Sequence, residues 1–136
     1  MAKKILINNM NRKLSIACLQ YSSAKNEKHT LETIKDLIDK ALSVEVELIT
    51  LPECATSLQK NSFLTNELAK KEDENLSLQI LKEMAKLNSV FILIGSLPIK
   101  VDDKLVNRSF LVGHNGDVYR ESDTYKSGNK AIIAEI

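Results

Sequence analysis

The sequence predicts a single α/β domain built on a largely parallel sheet, and three observations support this fold class. Short apolar runs alternate along the chain with segments whose apolar residues recur at helical spacing. A strand, helix, strand, helix, strand order requires right-handed crossover connections, which give parallel pairing. The length of 136 residues suits one hydrophobic core, so we expect no second domain.

The composition argues against several classes of function. The chain has 19 Lys and Arg against 18 Asp and Glu, a formal net charge of +1, so no net field draws it to nucleic acid or to an anionic membrane. Residues 5–7 are apolar, but this stretch is too short for a signal-peptide core or a bilayer span. We therefore expect a cytoplasmic protein that binds neither nucleic acid nor membrane.

The cysteines and histidines predict no metal site. Cys18 and Cys54 lack CxxC spacing and a companion pair of histidines, which argues against a disulfide framework and against structural zinc. His29 stands at a predicted helix start and His114 in a predicted turn, so both are interpreted as surface imidazoles. We expect reduced thiols, no bound metal and no cofactor.

The first strand and the first helix come early in the chain. Residues 14–19 (LSIACL) are a short apolar run that predicts a strand buried on both faces, with Cys18 as a small core residue. From about Asn26 the apolar residues follow helical spacing: Leu31, Ile34, Leu37, Ile38, Ala41 and Leu42. This segment is predicted to be an amphipathic helix packed on the sheet.

The second strand leads into the stretch ITLPEC, residues 49–54. Residues 46–51 predict a strand, and Pro52 ends it because proline has no N–H for the sheet ladder. Glu53 therefore stands just past the carboxyl end of a strand, where ligands bind in open α/β sheets.

The remaining elements follow in the second half. Residues 76–87 have helical periodicity, and residues 90–94 predict a β-branched strand that stops at Gly95. Turns are predicted at residues 102–104 and 114–117, with a strand at 105–112 between them.

Residues 131–136 (AIIAEI) begin a last predicted strand inside which the given sequence ends. Such a strand leaves a sheet edge and an apolar face uncovered, so self-association or pairing with another chain is expected.

Several of these segments, taken in order, resemble carbon-nitrogen hydrolases of the nitrilase superfamily, in particular the amino-terminal half of Nit-type amidases. The resemblance covers roughly residues 13–136, and its most specific element is the strand that ends in Leu-Pro-Glu. The segments that carry it are KLSIACLQ at 13–20, LITLPE at 48–53, IGS at 94–96, NRSF at 107–110 and HNG at 114–116.

The resemblance implies a fold and a chemistry. The fold would be part of an α-β-β-α sandwich, with residues 1–12 as an extension and residues 13–136 as an incomplete, truncated domain. Family members hydrolyse non-peptide C–N bonds in small amides or nitriles with a Glu base, a Lys that stabilises the oxyanion and a Cys nucleophile. Glu53 matches the base, although a carboxylate that caps the following turn is the alternative interpretation.

The other two catalytic residues have no matching position. After Asn115-Gly116 the family's Lys-bearing segment is missing, and the given sequence ends before the segment that bears the nucleophile. Lys126 is interpreted as a solvated loop lysine and Cys54 as a structural neighbour of the base. The resulting hypothesis is a truncated, inactive family member, because a lone glutamate cannot replace a triad.

Two alternatives remain open at this point. The chain could be a non-catalytic interaction protein, or a half-enzyme whose missing Lys and Cys come from a second chain. The sequence Asn107-Arg108-Ser109 fits a glycosylation pattern, which has no consequence in a cytoplasmic protein.

Overall fold

The structure, a computed structural model, describes residues 13–24, 26–56 and 68–120. These residues form a five-stranded sheet in the order β1-β2-β3-β4-β5, two α helices and one short 3₁₀ helix. Their bounds, in chain order, are β1 Ile16–Cys18, α1 Glu27–Ala41, β2 Leu48–Leu51, the 3₁₀ helix Glu72–Glu74, α2 Leu76–Asn88, β3 Phe91–Val101, β4 Lys104–Val112 and β5 Val118–Arg120.

The sheet has a parallel half and an antiparallel half. β1, β2 and β3 are parallel neighbours, with Ile16 opposite Leu48 and Leu48 opposite Phe91. β4 pairs antiparallel with β3, and β5 antiparallel with β4. The predicted alternation of strands and helices is thus confirmed for the first three strands, and a short meander extends the sheet on one side.

Both helices begin at an asparagine and pack on the same face of the sheet. Asn26 accepts hydrogen bonds from the backbone N–H groups of Lys28 and His29 at the start of α1, and Asn75 accepts one from Leu78 at the start of α2. These N-caps satisfy amide groups that have no partner within the helix. The helices share one core cluster with the strands, including Ile34, Ile38, Leu78, Leu81, Ala85, Ile49, Ile92, Ile94, Leu97 and Phe110.

The prediction that the third strand stops at Gly95 was wrong, because β3 runs on to Val101. The pairing with β4 shifts between Ile94 and Leu97, so Gly95 and Ser96 lie together opposite one residue of the partner strand. Two residues opposite one is a β-bulge, which bends a strand without ending it.

The prediction for the first strand was also partly wrong. The run 14–19 was expected to be buried on both faces, but β1 spans Ile16–Cys18 only. Leu14 is 41% and Ile16 50% exposed, and Cys18 is exposed rather than a core residue. Among the strands that the structure describes, β1 pairs with β2 alone, so no described strand pairs with its outer edge.

Other predictions lie outside the described residues: the extension 1–12, the loop with Lys126 and the strand 131–136. The division into residues 1–12 and 13–136 therefore stays a prediction. In the part of the chain that the structure describes, no helix has the length and apolar character needed to cross a membrane.

Candidate active site

Glu53 lies at the carboxyl end of β2, as the sequence predicts. β2 ends at Leu51, Pro52 interrupts the ladder, and Glu53 follows in a turn with its side chain exposed. The neighbouring parallel strand β3 continues beyond the end of β2, so the Glu53 turn follows β2 where β3 has no parallel partner.

Asn107 on β4 contacts the carboxylate. Its Nδ2 donates a hydrogen bond of 3.1 Å to Oε1 of Glu53. Asn107 pairs with Pro98 of β3, and its Oδ1 atom is buried. The carboxylate at the end of one strand is therefore held by a side chain from a strand that is not its neighbour in the sheet.

Ser96, in the bulge of β3, fixes the turn after Glu53 at two backbone groups. Its Oγ accepts a hydrogen bond of 2.9 Å from the N–H of Cys54, and its carbonyl accepts one of 3.0 Å from the N–H of Ala55. Ser96 is buried. The bulge thus supplies the acceptors for a turn that has no strand partner of its own.

The loop after β1 holds the same turn from the other side. Ser23 Oγ donates to the carbonyl of Cys54 at 2.7 Å, and Tyr21 Oη donates to the carbonyl of Ala55 at 2.7 Å. Burial raises the pKa of the Tyr21 hydroxyl above its usual range, which keeps it protonated as a donor. The bulge of β3 and the loop after β1 therefore together determine the conformation of the turn.

The backbone at Cys54 has the left-handed conformation, with φ of 49°. This conformation is uncommon for residues other than glycine, asparagine and aspartate. It is held here by the hydrogen bonds on both sides of the residue.

The thiol of Cys54 is a weak nucleophile in this setting. Burial raises its pKa, the charge of Glu53 raises it further, and a hydrogen bond with Ser96 opposes this in part. Since the thiolate is the reactive form, the neighbouring carboxylate stabilises the unreactive thiol. The proximity of Glu53 therefore works against the use of Cys54 in catalysis.

Gly95 allows β3 to approach the end of β2. A Cβ atom at Gly95 would lie 2.6 Å from the carbonyl oxygen of Leu51 and 2.6 Å from the backbone C and O atoms of Pro52. Ser109 of β4 donates a hydrogen bond of 2.6 Å to the carbonyl of Gly95. Any side chain at this position would displace the backbone that leads into Glu53.

The remaining sequence candidates do not contribute to this site. His29 and His114 are exposed, and the ring of His114 contacts Phe91 at a centroid distance of 5.2 Å. Lys126 lies outside the described residues. A separate open cavity of about 500 Å³ lies beside the 3₁₀ helix, α2 and β5, and no residue of the Glu53 turn lines it.

Sequence reasoning identified Glu53 but missed the residues around it. Asn107 and Ser96 lie in segments that carry the family resemblance, but the sequence predicted no role for them, nor for Tyr21 and Ser23. A signal for Ser96 is present in the sequence, since a glycine and a small polar residue inside a β-branched run are typical of a bulge.

The fold and the site define a class of protein: an α/β protein with a carboxylate held at the carboxyl edge of parallel strands, in a position suited to acid–base chemistry. The family model described as Carbon-nitrogen hydrolase matches residues 15–131. The chain belongs to the carbon-nitrogen hydrolase family.

Individual relatives agree with this assignment. The chain is 32% identical to Omega-amidase NIT2 of Bos taurus over 104 residues, which cover 76% of this chain and 36% of that protein. It is 26% identical to Deaminated glutathione amidase of Dictyostelium discoideum over 159 residues, which cover 97% of this chain and 54% of that protein. The chain thus spans about a third to a half of the length of these two relatives.

The structure is similar to that of the NitFhit protein of C. elegans, with a TM-score of 0.73 and 19% identity over 88% of this chain and 31% of that one. At this identity the likeness concerns the fold. The predicted α/β, nitrilase-type architecture is confirmed, and the described residues supply one helical layer and one sheet of it.

Proposed function

We propose that Glu53 is the general base of an amidase-type carbon-nitrogen hydrolase site, and that the described residues hold neither the nucleophile nor the oxyanion lysine of that site. The observation that supports this proposal is the exposed carboxylate of Glu53, which lies just past the end of β2 and accepts a hydrogen bond from Asn107. In the family's chemistry such a base takes the proton of a cysteine thiol, and the thiolate attacks the carbonyl or nitrile carbon.

Cys54 is not the nucleophile in this proposal. Burial and the charge of Glu53 raise the pKa of its thiol, whereas a catalytic cysteine needs a lowered one. Its backbone N–H and carbonyl are both hydrogen-bonded, to Ser96 and Ser23. These contacts support a structural role for Cys54 in the turn.

In the family the oxyanion lysine belongs to a Tyr-x-Lys-Ile-His type segment soon after an Asn-Gly turn. Here the turn at Asn115 and Gly116 is followed by Tyr119, Arg120 and Glu121, so no lysine stands two positions after the tyrosine. This departure supports the proposal that the oxyanion lysine is not present in this segment.

The energetic consequence is large. Removal of the nucleophile from a hydrolase triad lowers kcat by about six orders of magnitude, which corresponds to roughly 8 kcal/mol of barrier. One hydrogen-bonded carboxylate cannot compensate for a loss of this size. We therefore expect the chain alone to show no turnover, and small amides or nitriles to be the substrates only of a completed site.

The test is ammonia release from a panel of small amides and nitriles by the purified chain, with Glu53→Gln and Cys54→Ala measured beside it. Far-ultraviolet circular dichroism controls for folding in all three. The expected result is no turnover above the uncatalysed rate in any of them. Turnover that is lost in Glu53→Gln would support Glu53 as the base but overturn the expected inactivity of the chain alone, and loss in Cys54→Ala as well would make Cys54 the nucleophile.

A second candidate function, an interaction protein or a half-enzyme completed by another chain, is favoured by the edge of β1 with which no described strand pairs. Leu14 and Ile16 are 41% and 50% exposed there, and an unpaired strand edge is a template for pairing. Light scattering coupled to gel filtration tests this: a concentration-dependent dimer that Ile16→Lys abolishes would support pairing, and a monomer at all concentrations would exclude self-association.

A cytoplasmic location is also part of the proposed function, and the free thiols of the two cysteines support it.

A further inference from the structure

We propose that Asn107 is the positioning residue of Glu53: its amide holds Oε1 and leaves Oε2 as the oxygen that takes the proton. This inference rests on the proposed role of Glu53 as the base and adds the residue that orients it. It also assigns a role to the Asn-Arg-Ser sequence at 107–109, which the sequence alone left without one.

The contact has a defined polarity. A carboxylate can only accept hydrogen bonds, so the amide nitrogen of Asn107 faces Glu53 and donates to Oε1 at 3.1 Å. The amide oxygen of the same side chain is buried. Asn107 therefore presents its donor, and not its acceptor, to the carboxylate of Glu53.

The strand that carries Asn107 is fixed on both faces. Because side chains alternate along a strand, Asn107 and Ser109 share one face of β4 and Arg108 lies on the other. Ser109 donates to the carbonyl of Gly95 at 2.6 Å, and Arg108 forms a largely buried ion pair with Glu72 at 2.6 Å. The amide of Asn107 thus projects from an anchored backbone.

An exposed glutamate such as Glu53 gains side-chain order from a hydrogen-bond partner. The residue is exposed, and a glutamate side chain has several rotatable bonds whose freedom in water is large. The backbone of the turn is held by Ser96, Ser23 and Tyr21, but these contacts end at the main chain. Asn107 is the partner that extends this order to the carboxylate.

Heteronuclear NMR of the isotope-labelled full chain tests the inference without any need for turnover. The side-chain amide signals of Asn107 are followed from about pH 3 to about pH 6, the range in which carboxylates ionise. We expect these signals to shift with pH in the parent chain and to lose that shift in Glu53→Gln. Signals that titrate identically in Glu53→Gln would overturn the inference.

The isosteric variant Asn107→Asp separates positioning from packing, since it keeps the shape of the side chain and removes the donor. At neutral pH the side-chain order of Glu53, measured by methylene relaxation, is expected to be lost. It should return at acid pH, where one protonated carboxyl group can donate to the other. Order that is unchanged at neutral pH would refute a positioning role.

Asn88→Asp is the matched control, because Asn88 donates from Nδ2 to a backbone carbonyl of α2, that of Met84, and undergoes the same chemical change. It should leave the signals of Glu53 and Asn107 as in the parent. The outcomes are independent: ammonia release would overturn the expected inactivity of the chain alone and not the NMR result, whereas an unresponsive Asn107 would overturn only the positioning role.

Discussion

Substitution of Gly95 by alanine should destabilise the fold more than its single added methyl group suggests. The new Cβ would lie 2.6 Å from the carbonyl oxygen of Leu51 and from the C and O atoms of Pro52. All three are backbone atoms, and ordinary van der Waals contact requires about 3.5 Å or more. Either β3 must move away from β2, or the chain leading into Glu53 must shift by nearly 1 Å.

The size of the effect follows from the nature of these contacts. Overpacking of a well-packed interior costs about 1–3 kcal/mol, and we expect the upper end, about 3 kcal/mol, because no flexible side chain can move aside. With a urea m-value of about 2 kcal/mol per M, the unfolding midpoint should fall by about 1.5 M. The assay is urea unfolding followed by circular dichroism at neutral pH.

Gly113→Ala, directly after the end of β4, is the matched control. A Cβ at Gly113 would lie 2.9 Å from Oδ1 of Asn115, and its next contacts are 3.5 Å or longer. Asn115 is exposed and can move at the cost of its two exposed hydrogen bonds with Asp117, so a loss of about 1 kcal/mol is expected. Equal midpoints for Gly95→Ala and Gly113→Ala would refute the argument from close approach.

Three smaller changes test other parts of the molecule. The pKa of Cys54 is raised above its ordinary value of 9.0, so above that pH the folded state keeps a proton that the unfolded chain releases. The free energy of unfolding should therefore be constant below about pH 9 and decline above it. Urea titrations from pH 7 to pH 10 should show a weaker decline for Cys54→Ala, and equal declines in the two proteins would contradict this. Tyr21→Phe removes the donor to the Ala55 carbonyl and should cost about 1 kcal/mol, which a urea midpoint equal to that of the parent would contradict. Asn75→Ala leaves the N–H of Leu78 without its acceptor and should also cost about 1 kcal/mol, and an unchanged thermal midpoint would argue against the cap.

The elements that the sequence predicts well are those whose causes are local. The helix predicted from about Asn26 and the helix predicted over residues 76–87 were both confirmed. Their apolar periodicity lies within the helices, and their N-capping residues directly precede them. Pro52 correctly marked the end of β2, and it placed Glu53 at the edge of the sheet. The proposed base, Glu53, could thus be predicted from the six consecutive residues 49–54.

What the sequence did not predict depends on pairing between distant segments. Asn107 lies 54 positions from Glu53 along the chain, and no local pattern connects them. Cys18 is exposed because its neighbour Ala17 packs against the core cluster, so the side chain of Cys18 lies on the opposite face of the sheet, which an apolar run cannot report. The extension of β3 past Gly95 required β4 as a partner to hold both sides of the bulge.

The bulge in β3 also determines which residues of the strand face the core. Before it, alternate residues such as Ile92 and Ile94 are buried, and after it Leu97 and Ile99 are, so the parity of the buried positions changes from even to odd. An extra residue in a regular strand would turn every later side chain to the opposite face, but the bulge takes up that residue, so Leu97 and Ile99 still face the core. The two bulge residues next to the Glu53 turn, Gly95 and Ser96, thus also keep the apolar side chains in the second half of β3 directed at the core.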